Sequence, residues 1–142
     1  MILRQYTVCV HEDLEQDLDR LYEADPDCAN DIAVLLEEIS TSELWAKNLD
    51  RFSDGKEQME LFPVKHDTSP IWQFFNRGKN LYRLKFLDIE CIEPQRVLFA
   101  FKPDTLTFHF LAVMPRSVNY SQNHPLIQRV LNRYDDLGIQ VW

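Results

Sequence analysis

The sequence predicts an α+β fold, in which an N-terminal strand and a helical hairpin pack on a mostly antiparallel sheet of about four to six strands, with a C-terminal helix. Three observations predict it. Residues 12–48 carry apolar side chains at helical spacing, residues 71–114 are rich in β-branched and aromatic side chains, and an amphipathic segment begins at Pro125. The 142 residues, 45% of them hydrophobic, suffice for one core, so we expect a single domain over residues 1–142.

The N-terminal half is predicted to hold one strand and two helices. Met1–Val10 is rich in strand-forming residues, and Glu12–Ala24 places leucines at helical spacing. Asp25-Pro26-Asp27 interrupts that pattern and can cap a second helix from about Cys28 to about Asn48. We expect the two helices to form a hairpin whose apolar stripe faces the sheet.

The C-terminal half is predicted to be a sheet followed by one helix. Phe52–Glu60 is polar and is expected to be a loop, Glu60–Lys65 is a possible short strand, and His66–Pro70 is rich in turn formers. The strands expected after it are Ile71–Phe75, Leu81–Ile89, Gln95–Lys102 and Thr105–Met114. The final helix is expected to begin near Asn123-His124-Pro125, end at about Asp136 and stop before Gly138.

Charge is distributed unevenly along the chain. The net charge is −8, which argues against an indiscriminate nucleic-acid binder. Residues 1–62 hold 16 Asp/Glu and 5 Lys/Arg, whereas residues 63–142 hold 7 Asp/Glu and 10 Lys/Arg. This asymmetry predicts a basic working face on the C-terminal half, and an acidic half that is either a solvated helical surface or a surface for a partner.

The remaining compositional features indicate an ordinary soluble protein. Cys9, Cys28 and Cys91 form no CxxC pair and no zinc spacing, so we expect buried free thiols and no metal site or cofactor. No apolar run is long enough to span a bilayer and the first residues lack a signal-peptide layout, so we expect no membrane association and a cytoplasmic location.

Three short motifs carry a resemblance to a known family. They are Leu81-Tyr82-Arg83-Leu84-Lys85-Phe86, Arg96-Val97-Leu98-Phe99-Ala100-Phe101, and Leu111-Ala112-Val113-Met114-Pro115-Arg116 followed by Tyr120. Together with the element order, they resemble the RelE/ParE superfamily of toxins from type II toxin–antitoxin systems. The resemblance is best over residues 71–137, and it covers the N-terminal half by element order alone.

The resemblance implies a metal-independent, ribosome-dependent mRNA endoribonuclease (an mRNA interferase) that inhibits translation. Arg83 would hold the scissile phosphate, Arg116 would stabilise the pentavalent phosphate, and Tyr120 would position or deprotonate the nucleophile. The implied RNA-binding residues are Arg77, Lys79, Lys85 and Lys65. Arginine suits phosphate because its planar fork donates two hydrogen bonds at once. The implied partners are mRNA on the ribosome and a cognate antitoxin protein.

Two alternatives remain open. Many ribosome-dependent relatives carry two lysines on the strand before the YR motif, and the matching stretch here, Ile71–Phe75, has none. This departure favours a gyrase inhibitor of the ParE type, which would damage DNA instead of cutting mRNA. The acidic N-terminal half favours a non-catalytic toxin-like module that binds a protein partner. Under that interpretation Lys85 and Arg116 are ordinary surface cations.

Two further groups of side chains are ambiguous from sequence. His109 is predicted to share a strand face with Thr107, Leu111 and Val113, where a structural histidine is the simpler interpretation. Arg129 and Arg133 are four residues apart on the last helix, away from its apolar face. They are expected to be solvated, to touch RNA or to pair with an acidic partner.

Overall fold

The computed structural model describes residues 6–41, 66–86, 89–92 and 94–139, which form one five-stranded sheet with helices on both faces. The elements in chain order are β1 (Thr7–Val10), α1 (Glu12–Ala24), α2 (Pro26–Thr41), β2 (His66–Pro70), α3 (Trp72–Phe75), β3 (Leu81–Phe86), β4 (Gln95–Lys102), β5 (Thr107–Pro115), a 3₁₀ turn (Arg116–Val118) and α4 (Pro125–Asp136). The predicted α+β class and its C-terminal helix are therefore confirmed.

The sheet is mixed, with the strand order β1-β5-β4-β3-β2. Strands β2 to β5 form antiparallel pairs, while β1 lies at the edge and runs parallel to β5. Parallel strands need a long connection between them. The helical hairpin and strands β2 to β4 provide it, since they lie between β1 and β5 in the chain. The first and last strands of the chain thus become neighbours, which brings Cys9 opposite His109.

The helical hairpin covers one face of the sheet. Leu14 of α1 and Ile32 and Ile39 of α2 are fully buried against the aromatic side chains of the strands. Phe99 and Phe108 belong to this core, with their rings in an edge-to-face arrangement 5.8 Å apart. Alternation along the strands therefore leaves every second side chain for the opposite face.

Helix α4 covers part of the opposite face. Its buried stripe is Ile127, Val130 and Tyr134, and it packs on a second core that includes Leu81 and Leu98. His124 is the N-cap, and its Nδ1 accepts a hydrogen bond from the backbone N–H of Leu126 at 3.2 Å. The predicted limits of this helix are confirmed.

A bulge in β5 changes which side chains share a face. The partner of Leu98 is Ala112 and the partner of Phe99 is Phe110, so Leu111 is an extra residue on β5. The prediction that Val113 shares a face with His109 is therefore wrong, because the bulge moves Val113 into the hairpin-side core with Phe110. Periodicity alone does not reveal a bulge.

Two adjacent segments have the reverse of their predicted structures. His66–Pro70, expected to be a turn, is strand β2 and pairs with Tyr82–Phe86, while Ile71–Phe75, expected to be a strand, contains helix α3. A proline is tolerated at the end of an edge strand. A short apolar run does not distinguish strand from helix, and burial of Ile71 and Phe74 three residues apart favours the helical turn.

Other predicted limits are close to the observed ones or lie outside the described residues. Helix α1 and strand β4 have the predicted bounds, and α2 begins two residues earlier than expected. The predictions for residues 1–5, 42–65 and 87–88 lie outside the described residues.

Asp17 joins three elements of the fold. Its side chain is 3% exposed, and its Oδ2 accepts a hydrogen bond from the backbone N–H of Val113, just beyond the bulge, at 3.0 Å. The two terminal nitrogens of Arg129 on α4 donate to its two oxygens at 2.9 and 2.6 Å, and Arg20 also donates to Oδ1. Strand β1 ends before this point, so Asp17 satisfies a donor on β5 that β1 does not reach.

Asp17→Asn is expected to lower the free energy of unfolding by about 3 kcal/mol, because it leaves Arg129 without its bidentate carboxylate in a largely buried place. Asp19→Asn is the matched control, since Asp19 lies on the same helix and is exposed. The measurement is urea unfolding of both variants and the wild type. Equal stability of the two variants would show that Asp17 does not hold the fold together.

Candidate phosphate-binding site

A basic depression lies on the face of the sheet that α4 partly covers. It has a volume of about 420 Å³. Its lining residues are Arg83, Lys85, Arg96, Arg116, Ser117, Asn119 and Tyr120. We call this set the basic depression. It brings together all three residues predicted to be catalytic and one of the four predicted to bind RNA.

Strand register explains why these cations meet. Arg83 and Lys85 are two residues apart on β3, so they leave the same face, as predicted from the alternation of Tyr82, Leu84 and Phe86 into the hairpin-side core. Leu98 pairs with Arg83, and Arg96 lies two residues before Leu98 on β4. The apolar side chains packed beneath α4 include Leu81 and Leu98. Beyond them, the same face of the sheet carries the cationic side chains that line the depression.

Arg83 is held in place while keeping hydrogen-bonding capacity. Its side chain is 21% exposed, and its Nη1 lies 3.5 Å from Oδ2 of Asp67 on the neighbouring strand β2. That Nη1 is buried and has no hydrogen-bond partner among the residues that the structure describes. The long ion pair with Asp67 holds Arg83 on the sheet face, and the rest of its partly exposed guanidinium can donate to an incoming acceptor such as a phosphate oxygen.

Lys85 has a pKa below its ordinary value. Burial disfavours its charged form, and the neighbouring Arg83, Arg96 and Arg116 add repulsion that Asp67 only partly offsets. The three arginines around Lys85 give this place a positive potential, although the chain as a whole is acidic. Such a potential attracts anions to this place on the surface.

The loop that follows β5 presents Arg116 and Tyr120. Arg116 is exposed at the start of the 3₁₀ turn, and its backbone N–H donates to the carbonyl of Pro94 at 2.9 Å. Asn119 and Tyr120 both have left-handed backbone conformations, with φ of 57° and 55°. The side-chain amide of Gln73 donates to the carbonyl of Tyr120 and helps to hold this turn. Two consecutive left-handed residues that are not glycine are strained, and such strain is concentrated at functional sites.

Burial raises the pKa of Tyr120, although Arg83 and Arg96 oppose the shift. A phenol with a raised pKa keeps its proton at neutral pH. It can therefore donate a hydrogen bond or stack on a base, but it is a poor general base. Of the two roles predicted for Tyr120, the environment favours positioning over deprotonation of a nucleophile.

Sequence reasoning missed two charged members of this site. Arg96 was used only as part of a motif, yet its side chain is buried and lines the depression. Asp67 lay in a segment predicted to be a turn, and pairing of β2 with β3 places it opposite Lys85. Arg96 could have been nominated from sequence, because it lies two residues before the apolar centre of β4 at Leu98. Asp67 could not, because its position depends on the register between β2 and β3.

Two of the other predicted RNA-binding residues, Lys79 and Arg77, do not join the depression. Lys79 forms an ion pair with Asp135 at 3.0 Å and lies over the ring of Tyr134, 5.3 Å from its centroid. Arg77 is exposed in the turn after α3 and does not line the depression. Lys65 lies outside the described residues. Lys79 is therefore engaged with the C-terminal helix.

Arg129 and Arg133 find acidic partners within the chain. Arg129 binds Asp17 as described, and Nε of Arg133 donates to Oδ2 of Asp13 at 2.8 Å. These pairs connect α4 to α1. The prediction of an acidic partner is met by the acidic N-terminal half of the same molecule.

A second polar cluster lies at the β1 edge of the sheet. Nε2 of His11 and Nδ1 of His109 are 2.9 Å apart, and Cys9 offers its thiol to the same place. Burial lowers the pKa of both histidines, that of His109 to about 4 with further contributions from His11 and Lys102. For His11, Asp13 opposes the shift and Arg133 reinforces it.

The cysteines only partly match the prediction of buried thiols. Cys28 is buried and burial raises its pKa to about 12, while Cys9 and Cys91 are exposed. All three are free thiols. The thiol of Cys28 donates to the carbonyl of Cys91 at 3.0 Å, which ties the β3–β4 connection to α2.

No match to this chain was found among protein-family models, curated proteins or solved structures. Within the described parts of the chain, no helix combines the length and the apolar character needed to cross a membrane.

Lys85 is expected to react with an amine-selective acylating reagent at lower pH than it does in the urea-unfolded chain, because burial and three arginines favour its neutral form. Competitive labelling across a pH series, with peptide mapping, measures the midpoint. Arg116→Ala is expected to raise the midpoint only partly, since burial remains. A midpoint at or above that of the unfolded chain would contradict the proposed positive potential.

Proposed function

We propose that this protein is a toxin of the RelE/ParE type that cuts mRNA on the ribosome and so inhibits translation. The observation that carries the proposal is the convergence of Arg83, Lys85, Arg96 and Arg116 with Tyr120 on an open sheet face. Four cations from two strands and one loop around a depression of about 420 Å³ suit a phosphodiester and the nucleotides beside it.

Cleavage by an RNA 2′-hydroxyl needs no metal ion, because the attacking oxygen and the phosphate belong to the same strand. It needs stabilisation of the negative charge that grows on the phosphate and placement of the reacting oxygens. Arg83 is suited to hold the scissile phosphate, since Asp67 fixes one end of its guanidinium and the side chain remains partly exposed in the depression. Arg116 is exposed at the rim and is suited to the charge that develops in the transition state.

The proton that leaves the 2′-hydroxyl requires an acceptor. Lys85 is the best candidate in the depression, because its lowered pKa increases the fraction of neutral amine at a given pH. Tyr120 keeps its proton and is suited to orient the ribose or to stack on a base. This assignment moves the predicted base from Tyr120 to Lys85.

The acidic composition is compatible with an RNA-binding face because the charges are segregated. Asp13 and Asp17 of α1 form ion pairs with Arg129 and Arg133 of α4, away from the depression. At the rim of the basic depression, Asp67 forms an ion pair with Arg83. A cognate antitoxin is the proposed partner in the resting cell, with an acidic segment covering the depression.

A gyrase inhibitor of the ParE type is the second candidate. The strand that precedes β3 is His66–Pro70, and it carries no lysine in place of the two found in many ribosome-dependent relatives. The nearest cation in sequence is Lys65, immediately before that strand. This departure concerns the RNA contacts and leaves the arginine pair on β3 and after β5 in place.

Induced expression of the wild-type chain is expected to arrest growth and to produce new mRNA ends within open reading frames. Arg116→Ala is expected to relieve the arrest, because loss of one preorganised transition-state donor lowers the cleavage rate by about 10²- to 10³-fold. Growth and transcriptome-wide mRNA 5′ ends are followed in the same cultures.

Arg77→Ala is the matched control, since it removes the same charge from an exposed turn outside the depression. It should remain as toxic as the wild type. If the double variant Arg83→Ala, Arg116→Ala arrests growth as strongly as the wild type, the site is wrong. Double-strand DNA breaks without new mRNA ends would identify the gyrase inhibitor, and absence of any growth effect would indicate the non-catalytic binding module.

Lys85→Arg separates charge from proton transfer. It keeps the positive charge but removes an amine whose lowered pKa makes it easier to deprotonate than an ordinary lysine. When the purified Lys85→Arg variant is mixed with ribosomes programmed with an mRNA, it is expected to cleave that mRNA at least about tenfold more slowly than the wild type does. Binding to the programmed ribosome should be retained. Undiminished cleavage by Lys85→Arg would exclude Lys85 as the proton acceptor.

A further inference from the structure

We propose that Cys9, His11 and His109 form a binding site for a divalent zinc ion at the β1 edge of the sheet. One ligand atom from each residue lies within 4.8 Å of the other two. Imidazole nitrogen and thiolate sulfur are the preferred ligands of Zn²⁺. The site is separate from the basic depression and shares no residue with it.

The fold assembles this triad from positions 98 residues apart. Cys9 pairs with His109 across the parallel β1–β5 ladder, and alternation on each strand turns both side chains away from the hairpin-side core, which holds Phe108 and Phe110. His11 follows two residues after Cys9, and its backbone N–H donates to Phe110. The three groups are thus fixed by backbone pairing, which limits how far they can separate.

The separation of the two histidine nitrogens suits tetrahedral zinc after a small adjustment. Zn–N bonds of about 2.05 Å at a tetrahedral angle require two ligand nitrogens to be about 3.3 Å apart. Nε2 of His11 and Nδ1 of His109 are 2.9 Å apart, so they need to separate by a few tenths of an ångström. In the absence of metal one of these nitrogens donates to the other, and binding replaces that proton with the ion.

The local chemistry favours a cation despite nearby positive charges. Lys102 and Arg133 both face the histidines, but the thiolate of Cys9 supplies one negative charge on coordination, and Asp13 lies beside His11. Cys9 is exposed, which gives the ion an entry path. Three protein ligands leave one position for water, as is usual for zinc sites that are not fully closed.

The exposed fourth position has room beside it. His11 also lines a depression of about 310 Å³, together with Glu12, Asp13, Arg133, Asp136 and Leu137. A water molecule or a small anionic ligand can therefore reach an ion bound at His11. The ion would also crosslink β1 to β5, so binding is expected to stabilise the edge of the sheet.

The test is metal binding by the purified, reduced and chelator-treated chain, without RNA or ribosomes. Titration of Zn²⁺ against a chromophoric competitor is expected to give one equivalent bound with micromolar or tighter affinity. Co²⁺ should give the intense visible bands of a tetrahedral site and a near-ultraviolet sulfur-to-cobalt charge-transfer band. Zn²⁺ should also raise the thermal midpoint of unfolding, since it binds the native state alone.

Cys9→Ser and His109→Gln are each expected to weaken Zn²⁺ binding by at least about tenfold, and Cys9→Ser should remove the charge-transfer band. Cys91→Ser and His124→Asn are the matched controls, because they remove an exposed thiol and an imidazole elsewhere, and asparagine preserves the N-cap. Circular dichroism without metal checks that each variant folds. Binding that is weaker than micromolar, or that Cys91→Ser weakens as much as Cys9→Ser, would overturn the proposal, whatever the outcome of the growth experiments.

Discussion

The relative placement of the helical hairpin, the sheet and α4 depends on the hydrogen bonds of the Asp17 carboxylate. This carboxylate accepts a hydrogen bond from the backbone of β5 beyond the end of β1 and a bidentate pair from Arg129 on α4. A buried carboxylate that receives several donors is stabilised, whereas any one of these donors left alone would be a buried, unpaired polar group. The acidic first helix and the cationic last helix are therefore one structural feature, and the sheet edge between them is closed by a side chain.

This arrangement also determines where the basic depression can lie. Because Arg129 and Arg133 are drawn towards α1, α4 packs over Leu81 and the neighbouring core and leaves the far end of the same face uncovered. The uncovered end carries Lys85, which Arg83 and Arg96 repel and which Asp67 only partly compensates. Like charges held at close range destabilise a fold, so this end of the face favours binding of an anion at a cost in stability.

The sequence predicted the parts of the fold that depend on local pattern. The bounds of Glu12–Ala24 and Gln95–Lys102 followed from periodicity, and alternation correctly placed Arg83 and Lys85 on one face. What failed depends on pairing between distant segments. Strand β2 exists because β3 offers it a hydrogen-bonding edge, and its turn-forming composition gives no sign of that.

The same reasoning applies to the candidate sites. Arg83, Arg116 and Tyr120 could be nominated one at a time from motifs, but the contribution of Arg96 and Asp67 required the register of three strands. The bulge at Leu111 moves Val113 to the other face of the sheet, and the residue types in that segment do not predict a bulge. The sequence therefore predicts individual site residues but not the contacts between them that depend on strand register.

The β1–α1 junction connects both proposed sites to the anchoring carboxylates. His11 lies two residues before Asp13 and six before Asp17, and both carboxylates bind α4. An ion held by His11 and His109 would fix the start of α1 against β5, so it would reduce the freedom of the helix that carries Asp17. Asp17 also accepts a hydrogen bond from Val113, which precedes Arg116 by three residues on the same chain segment. The β1 edge and the loop that presents Arg116 and Tyr120 are therefore joined by a short series of contacts through Asp17.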